Sequence, residues 1–175
     1  MSRPTPTTCS TRSMSSATPT DLLLRPATPD DGPAIAALYT AVRIAAVPLM
    51  PPAIHTAEED VAHFGALLSD GEHEGWIAEE AGRVAGFAIL TATWLDGLYV
   101  HAEAQGRGIG TALLELAQAL RPEGLGLWVF ETNAPARALY SRHGFVETER
   151  TDGSGNEEKA PDIRMDWPGH AGTFG

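Results

Sequence analysis

A chain of 175 residues with 43% apolar content is long enough for one domain with a buried core, and no apolar run nears the ~20 residues that a membrane-spanning helix requires. The formal net charge of −11, with every acidic residue between Asp21 and Asp166, argues against a nucleic-acid binder, because phosphate contacts need clustered Lys and Arg. The same charge suits cationic partners such as small-molecule or peptide amines, and equally well serves solubility alone.

Residues 1–20 are rich in Ser, Thr and Pro and carry no acid, so they are expected to form a disordered tail ahead of a domain spanning 21–168. Residues 169–175 read as a second loose end. Cys9 is the only cysteine, which excludes an intrachain disulfide and fits a cytoplasmic protein.

In chain order, Leu22 to Arg25 reads as a strand. Thr28 then caps a helix with Pro29 at its first position, and Ile35, Leu38, Tyr39, Val42 and Ala46 form its apolar stripe. Pro48, Pro51 and Pro52 end that helix. Thr56-Ala57-Glu58-Glu59 is a capping box for a second helix through Leu68. Gly75–Glu80 and Arg83–Trp94 form a hairpin turning at Ala81-Gly82, and Leu95–Val100 is the next strand. A helix follows with Ile109, Leu113, Leu116, Ala117 and Leu120 on its buried face. Strand Leu125–Phe130, helix Ala134–Arg142, strand Phe145–Thr151, a turn at 152–156 and strand Ile163–Trp167 complete the series.

Gln105-Gly106-Arg107-Gly108-Ile109-Gly110 carries the strongest chemical signal. A strand that passes through a Gly-rich turn into a helix N-terminus aims several N–H groups at one point, where a phosphate or pyrophosphate fits. A Gly-rich helix start with no ligand is the simpler alternative for this run alone. The second signal is Asn133-Ala134-Pro135-Ala136-Arg137-Ala138-Leu139-Tyr140-Ser141-Arg142-His143-Gly144-Phe145. Together the two resemble the GNAT superfamily of acyl-CoA-dependent N-acyltransferases. Gln105, Gly108 and Gly110 match its Gln/Arg-x-x-Gly-x-Gly/Ala element. Asn133, Ala136, Leu139, Tyr140, Gly144 and Phe145 match its Asn-x-x-Ala-x-x-Leu-Tyr-x-x-x-Gly-Phe element. The likeness covers roughly Leu22 to Trp167.

The resemblance implies a single α/β (α+β) domain. Its central sheet would be mixed, mostly antiparallel, with six to seven strands and about four flanking helices, and the strands Leu95–Val100 and Leu125–Phe130 would splay apart. It implies acetyl transfer from acetyl-CoA to a primary amine of a small molecule or peptide, by direct attack in a ternary complex. A larger acyl group, a protein N-terminus as acceptor, or a CoA-binding sensor without catalysis are the alternatives. Homodimers are frequent in the family.

Under this resemblance the turn residues Gln105, Gly106, Arg107, Gly108, Ile109, Gly110 and Thr111 would hold the CoA pyrophosphate. Main-chain groups of Leu98, Tyr99 and Val100 would pair with the pantetheine arm like an added strand. Asn133 and Ala136 would border the cofactor, with Asn133 capping its helix, contacting CoA, or both. Tyr140 is the expected general acid for the thiolate, against the simpler reading of a packed core tyrosine. Where some relatives carry a glutamate this sequence has Trp94. Strand alternation places Asp96 on the same face as Leu98, so Asp96 becomes the first candidate base, and Glu131 the second. Many relatives use a water chain instead. His55, Trp94 and Asp96 are the expected acceptor contacts, within a site built from 47–56, the strand faces and the loop 152–162; His55 also suits a role in supporting the Thr56 cap. No metal-ligand spacing occurs, and the Gly turn lacks the acidic ribose partner of a dinucleotide fold.

Overall fold

The computed structural model describes residues 22–170, so the expected tail at 1–20, Cys9 with it, and residues 171–175 of the one expected at 169–175 lie outside the described residues. Seven strands and four helices are present among the described residues. Strand β1 (Leu22–Pro26) leads through a short 3-10 turn into α1 (Gly32–Ala45), followed by α2 (Ala57–Leu67). Strands β2 (Glu74–Glu80), β3 (Arg83–Leu90) and β4 (Leu95–Val100) come next, then α3 (Ile109–Leu120), β5 (Leu125–Phe130), α4 (Ala134–Arg142), β6 (Val146–Arg150) and β7 (Asp162–Trp167).

The ladders form two antiparallel sheets, in the orders β1-β2-β3-β4 and β5-β7-β6. The division falls between β4 and β5, the two strands expected to splay apart. These two strands touch at one end only, through an isolated parallel bridge between Trp94 and Gly126 and a bond from Gly126 N–H to Thr93 O of 2.9 Å. Gly126 is required there, because a Cβ at that position would sit 2.8 Å from the Trp94 ring. Beyond this apex the strands part, and their facing edges are free to take a ligand.

Two apolar layers hold the sheets. On one side Ile35, Leu38 and Val42 of α1 and Phe64 of α2 pack against Ile77, Phe87 and Ile89. On the other, Ile109, Leu113 and Leu114 of α3 pack with Leu95, Leu127, Ile163, Met165 and Phe145. Both layers follow the helical and strand periodicities of the sequence. On α3 the buried face is rotated from the expected stripe: Leu114 rather than Leu116 is fully covered, and Gln118 is buried too, donating from Nε2 to His143 O at 2.8 Å.

Three other local expectations change. Thr28 caps the 3-10 turn rather than α1; its N–H donates to Asp31 at 2.8 Å, and α1 starts at Gly32. The second hairpin strand ends at Leu90, because Thr91 and Trp94 close a turn: Thr91 N–H donates to Trp94 O at 2.9 Å. Residues 168–170 are held rather than loose, with His170 N–H donating to Pro122 O at 3.0 Å and its ring edge-on to Trp167.

Candidate active site in the cleft between the parted strands

The Gly turn carries the geometry expected of an anion cradle. Gly106 and Gly108 have φ of 76° and 84°, a left-handed conformation that side-chain-bearing residues adopt at a cost. Gly108 is the N-cap of α3, and the first amide bonded within the helix is that of Ala112, to Gly108 O at 2.9 Å. The N–H groups of Ile109, Gly110 and Thr111 thus have no partner in the helix, and the dipole of this twelve-residue helix adds positive potential at the same end. A Cβ at Gly106 or Gly108 would meet nothing within 4 Å, so the turn faces open space.

That space is a cleft of about 1170 Å³. Leu98, Tyr99 and Val100 form one wall, and Gln105, Gly106, Gly108, Ile109, Gly110 and Thr111 close one end. Asn133, Ala136 and Tyr140 lie on the opposite side with Val129 and Phe130. The sequence motifs that stand apart in the chain thus border one cavity. The Asn133 carboxamide accepts from Ala136 N–H at 3.3 Å, so its helix-cap role is present while the residue also borders the cleft. Arg107 is the exception in the turn. Its guanidinium pairs with Glu80 at 2.7 Å and the residue does not border the cleft.

Tyr140 borders the cleft although its side chain is almost wholly covered, at 7% exposure. Burial pushes its phenol up to about 12, so it keeps its proton throughout the neutral range. Among the described residues no protein group hydrogen-bonds its hydroxyl. The ring is fixed against Phe145 at 5.7 Å, and Phe145 N–H donates to Tyr140 O at 3.1 Å. The residue is thus held in one position with a proton to give.

The expected bases and acceptor contacts are placed differently from the alternation argument. Ile89 faces Gly97 and Leu90 faces Leu95 across β3 and β4, leaving Asp96 as the extra residue of a bulge. The bulge breaks the alternation. Leu98 and Val100 pack toward α3, whereas Asp96 lies toward α2, within 3.1 Å of His73 Nε2, and His73 Nδ1 meets Asp70 at 2.6 Å. Asp96 borders the cleft only where the cleft meets a second cavity on that side. Glu131 does not border the cleft at all; it points outward and pairs with Arg150 at 2.8 Å. Trp94 stands at the sheet junction under the Arg164 guanidinium (4.9 Å to the ring centre), outside the cleft. His55 also lies outside the cleft, half-exposed and bonded to Glu157 at 3.0 Å, an interaction that raises its pKa. Two acids of the 152–162 loop are likewise engaged, Glu157 by His55 and Glu158 by Arg43.

Sequence reasoning missed Arg43. It is 2% exposed, and its guanidinium donates to Glu158 at 3.2 Å, to Tyr39 Oη at 3.0 Å and to Pro51 O at 3.1 Å. It therefore ties α1, the proline segment and the 152–162 loop together at the end of the cleft away from the Gly turn. Leu49, Met50, Ser154 and Asn156 border the same end. The only local hint was a basic residue on the apolar side of α1, next to Val42.

The divided seven-strand sheet, the parallel junction at its apex and the Gly-turn helix beside the gap define the GNAT fold. A family model for an acetyltransferase (GNAT) domain matches residues 71–147. Peptidyl-lysine N-acetyltransferase YiaC of Escherichia coli is 35% identical over 98 residues, 54% of this chain and 64% of the relative. The chain thus spans slightly under two thirds of the length of that curated relative. A GCN5-related N-acetyltransferase structure from Rhodopseudomonas palustris superposes with a TM-score of 0.69 at 26% identity, covering 84% of this chain and 95% of that one. The structure of yncA from Salmonella typhimurium with its cofactor acetyl-CoA gives a TM-score of 0.68 at 20% identity, over 85% and 94% of the two chains. The chain is thus similar to GNAT acetyltransferases, in sequence over residues 71–147 and in fold over most of its length.

Proposed function

We propose that the protein transfers an acetyl group from acetyl-CoA to a primary amine of a small molecule or peptide. The observation that carries this reading is the convergence on one cleft of the open N–H groups at Gly108–Thr111 and the protonated Tyr140. The residues fit the co-substrate. Unpartnered amides on a helix N-terminus suit a pyrophosphate, and the free edge of β4 at Leu98 to Val100 suits an amide-bearing arm. The relative solved with acetyl-CoA and the lysine-directed name of YiaC point the same way.

Bound acetyl-CoA supplies the thioester whose acyl carbon the amine attacks. Ile109, Gly110 and Thr111 hold the phosphates through their amides, and the β4 edge orients the arm and polarises the carbonyl through a main-chain N–H. Tyr140 keeps a proton at its Oη and gives it to the departing sulfur. Apolar walls from Leu98, Val129 and Phe130 exclude bulk water. The placements of Asp96 and Glu131 favour neither as the base. Removal of the amine proton is assigned to water at the Arg43 end of the cleft, where Glu149 and Asp162 also border the cavity.

Thiol release from acetyl-CoA, followed over a panel of alkylamines, lysine peptides and peptides with free N-termini, tests the reading. Release that depends on one amine class is expected. Tight acetyl-CoA binding with no release for any amine would overturn it in favour of a sensor.

A further inference from the structure

A second cavity, of about 370 Å³, lies on the α2 side of β4 and adjoins the cleft. Tyr39, Asp96, Gly97, Tyr99 and Glu158 border both spaces. Its walls combine two kinds of group. Tyr39, Phe64 and Tyr99 supply aromatic surface, backed by the fully buried Phe87, with the rings packed edge-to-face or stacked at 5.1 to 5.5 Å between centres. Glu59, Asp60, Asp96, Glu157 and Glu158 supply carboxylates. His55 and His63 are the only basic residues in its lining; Arg43 stands behind Glu158 and is committed to it and to Tyr39.

Asp60 sets this cavity apart from an ordinary acidic surface. It is 4% exposed, yet no cation among the described residues pairs with it. Its one side-chain partner is Thr40 Oγ1, 3.1 Å from Oδ2, and that hydroxyl also lies 3.0 Å from Ala36 O. A hydroxyl has one proton, so it cannot fully satisfy both acceptors. Oδ1 has no side-chain partner among the described residues. Oδ1 is not among the buried unpartnered atoms, so this largely covered carboxylate keeps one oxygen open at the cavity, where a cation can meet it. Carboxylate together with aromatic faces is the pairing that binds an alkylammonium. In the same lining His55 bridges to Glu157 at 3.0 Å.

We infer that the acceptor carries a second alkylammonium group, which this aromatic and acidic cavity holds through Asp60 while the reacting amine lies in the cleft. The inference rests on the acetyl-transfer reading for the reacting amine, but the binding of the second cation stands apart from it. A free diamine and a peptide with neighbouring lysines share this chemistry. An acceptor with a single amine lacks it.

The test compares cadaverine with n-pentylamine, which have the same carbon chain and differ by one ammonium. Direct binding to the full chain is measured by calorimetry without acetyl-CoA. The wild type is expected to prefer cadaverine by about 10-fold or more. Asp60→Asn, which keeps the shape and the Thr40 contact, should bring the ratio toward one. Phe64→Leu, checked for folding by its thermal transition, should reduce it independently. An equal affinity for the two amines in the wild type, or a preference unchanged in both variants, overturns the inference whatever the activity. Preference for cadaverine with no thiol release upholds the cavity assignment and counts against acetyl transfer. Blocked Lys-Lys and Lys-Ala dipeptides, run in parallel, tell a peptide source from a free diamine.

Discussion

Burial is what fits Tyr140 for the acid role proposed for it. A phenol in water loses its proton near pH 10, but the covering of this ring by its neighbours raises the value to about 12. A proton held that firmly stays on the phenol at neutral pH and is available as negative charge builds on a departing sulfur. Tyr140→Phe removes the proton while keeping the ring against Phe145, so turnover is expected to fall on the order of 10²-fold with acetyl-CoA affinity little changed. Steady-state thiol release and calorimetry check both halves, and an unchanged kcat would remove Tyr140 from the chemistry. Its position in the chain was legible because the motif around it is local: an Asn cap, a nine-residue helix and a Gly stop place the ring within one short stretch. Asp96 was not legible in the same way. Strand alternation is a rule for regular strands, and one inserted residue at the bulge turned the side chain to the other face.

At the scale of elements, the sequence carried the helices and strands well where a single turn or cap decides them. Thr56 and Glu59 cap each other's amides, and α2 begins where that pairing predicts. The entry to α1 is subtler. Arg25 on β1 donates to both oxygens of Asp31, at 3.0 and 2.9 Å, and thereby locks the 3-10 turn onto the edge strand. This interaction spans a strand and a turn, so a cap pattern alone does not disclose it. The Arg25 guanidinium lowers the Asp31 carboxyl from 3.8 to about 2. A group with a depressed folded-state value adds stability that is complete above its unfolded value and is lost as pH falls through the folded one. Asp31→Asn is therefore expected to cost about 1–2 kcal/mol at neutral pH, after allowance for the partial exposure of Arg25. The difference from wild type should shrink below pH 3.8 and be nearly gone at about 2. Denaturant titrations at several pH values measure this, and a difference constant down to the lowest pH would contradict it.

For the molecule as a whole, the decisive feature is the division of one sheet into two. Trp94 over Gly126 pins β4 to β5 at one end, and past that point the strands diverge to open the cleft. Local periodicity reveals the strands but says nothing of whether neighbours pair along their length, so the splaying came from the family resemblance and not from the residue pattern. The same holds for Arg43 and Glu158, which are 115 positions apart and meet only because α1 and the 152–162 loop lie over the same end of the cleft. The acidic composition was legible from the first; its concentration in an aromatic side cavity depends on five separate segments coming together.

The central claim is that the Gly-turn helix and the parted strands hold acetyl-CoA. Calorimetric titration of acetyl-CoA into the wild-type chain and into Gly108→Glu, with pantetheine as the comparator lacking the pyrophosphate, tests it most directly. The account predicts tight binding of acetyl-CoA, much weaker binding of pantetheine, and loss of acetyl-CoA binding in a Gly108→Glu protein whose thermal transition shows that it remains folded. Micromolar affinity retained by that variant, or equal affinity for pantetheine and acetyl-CoA, would contradict it.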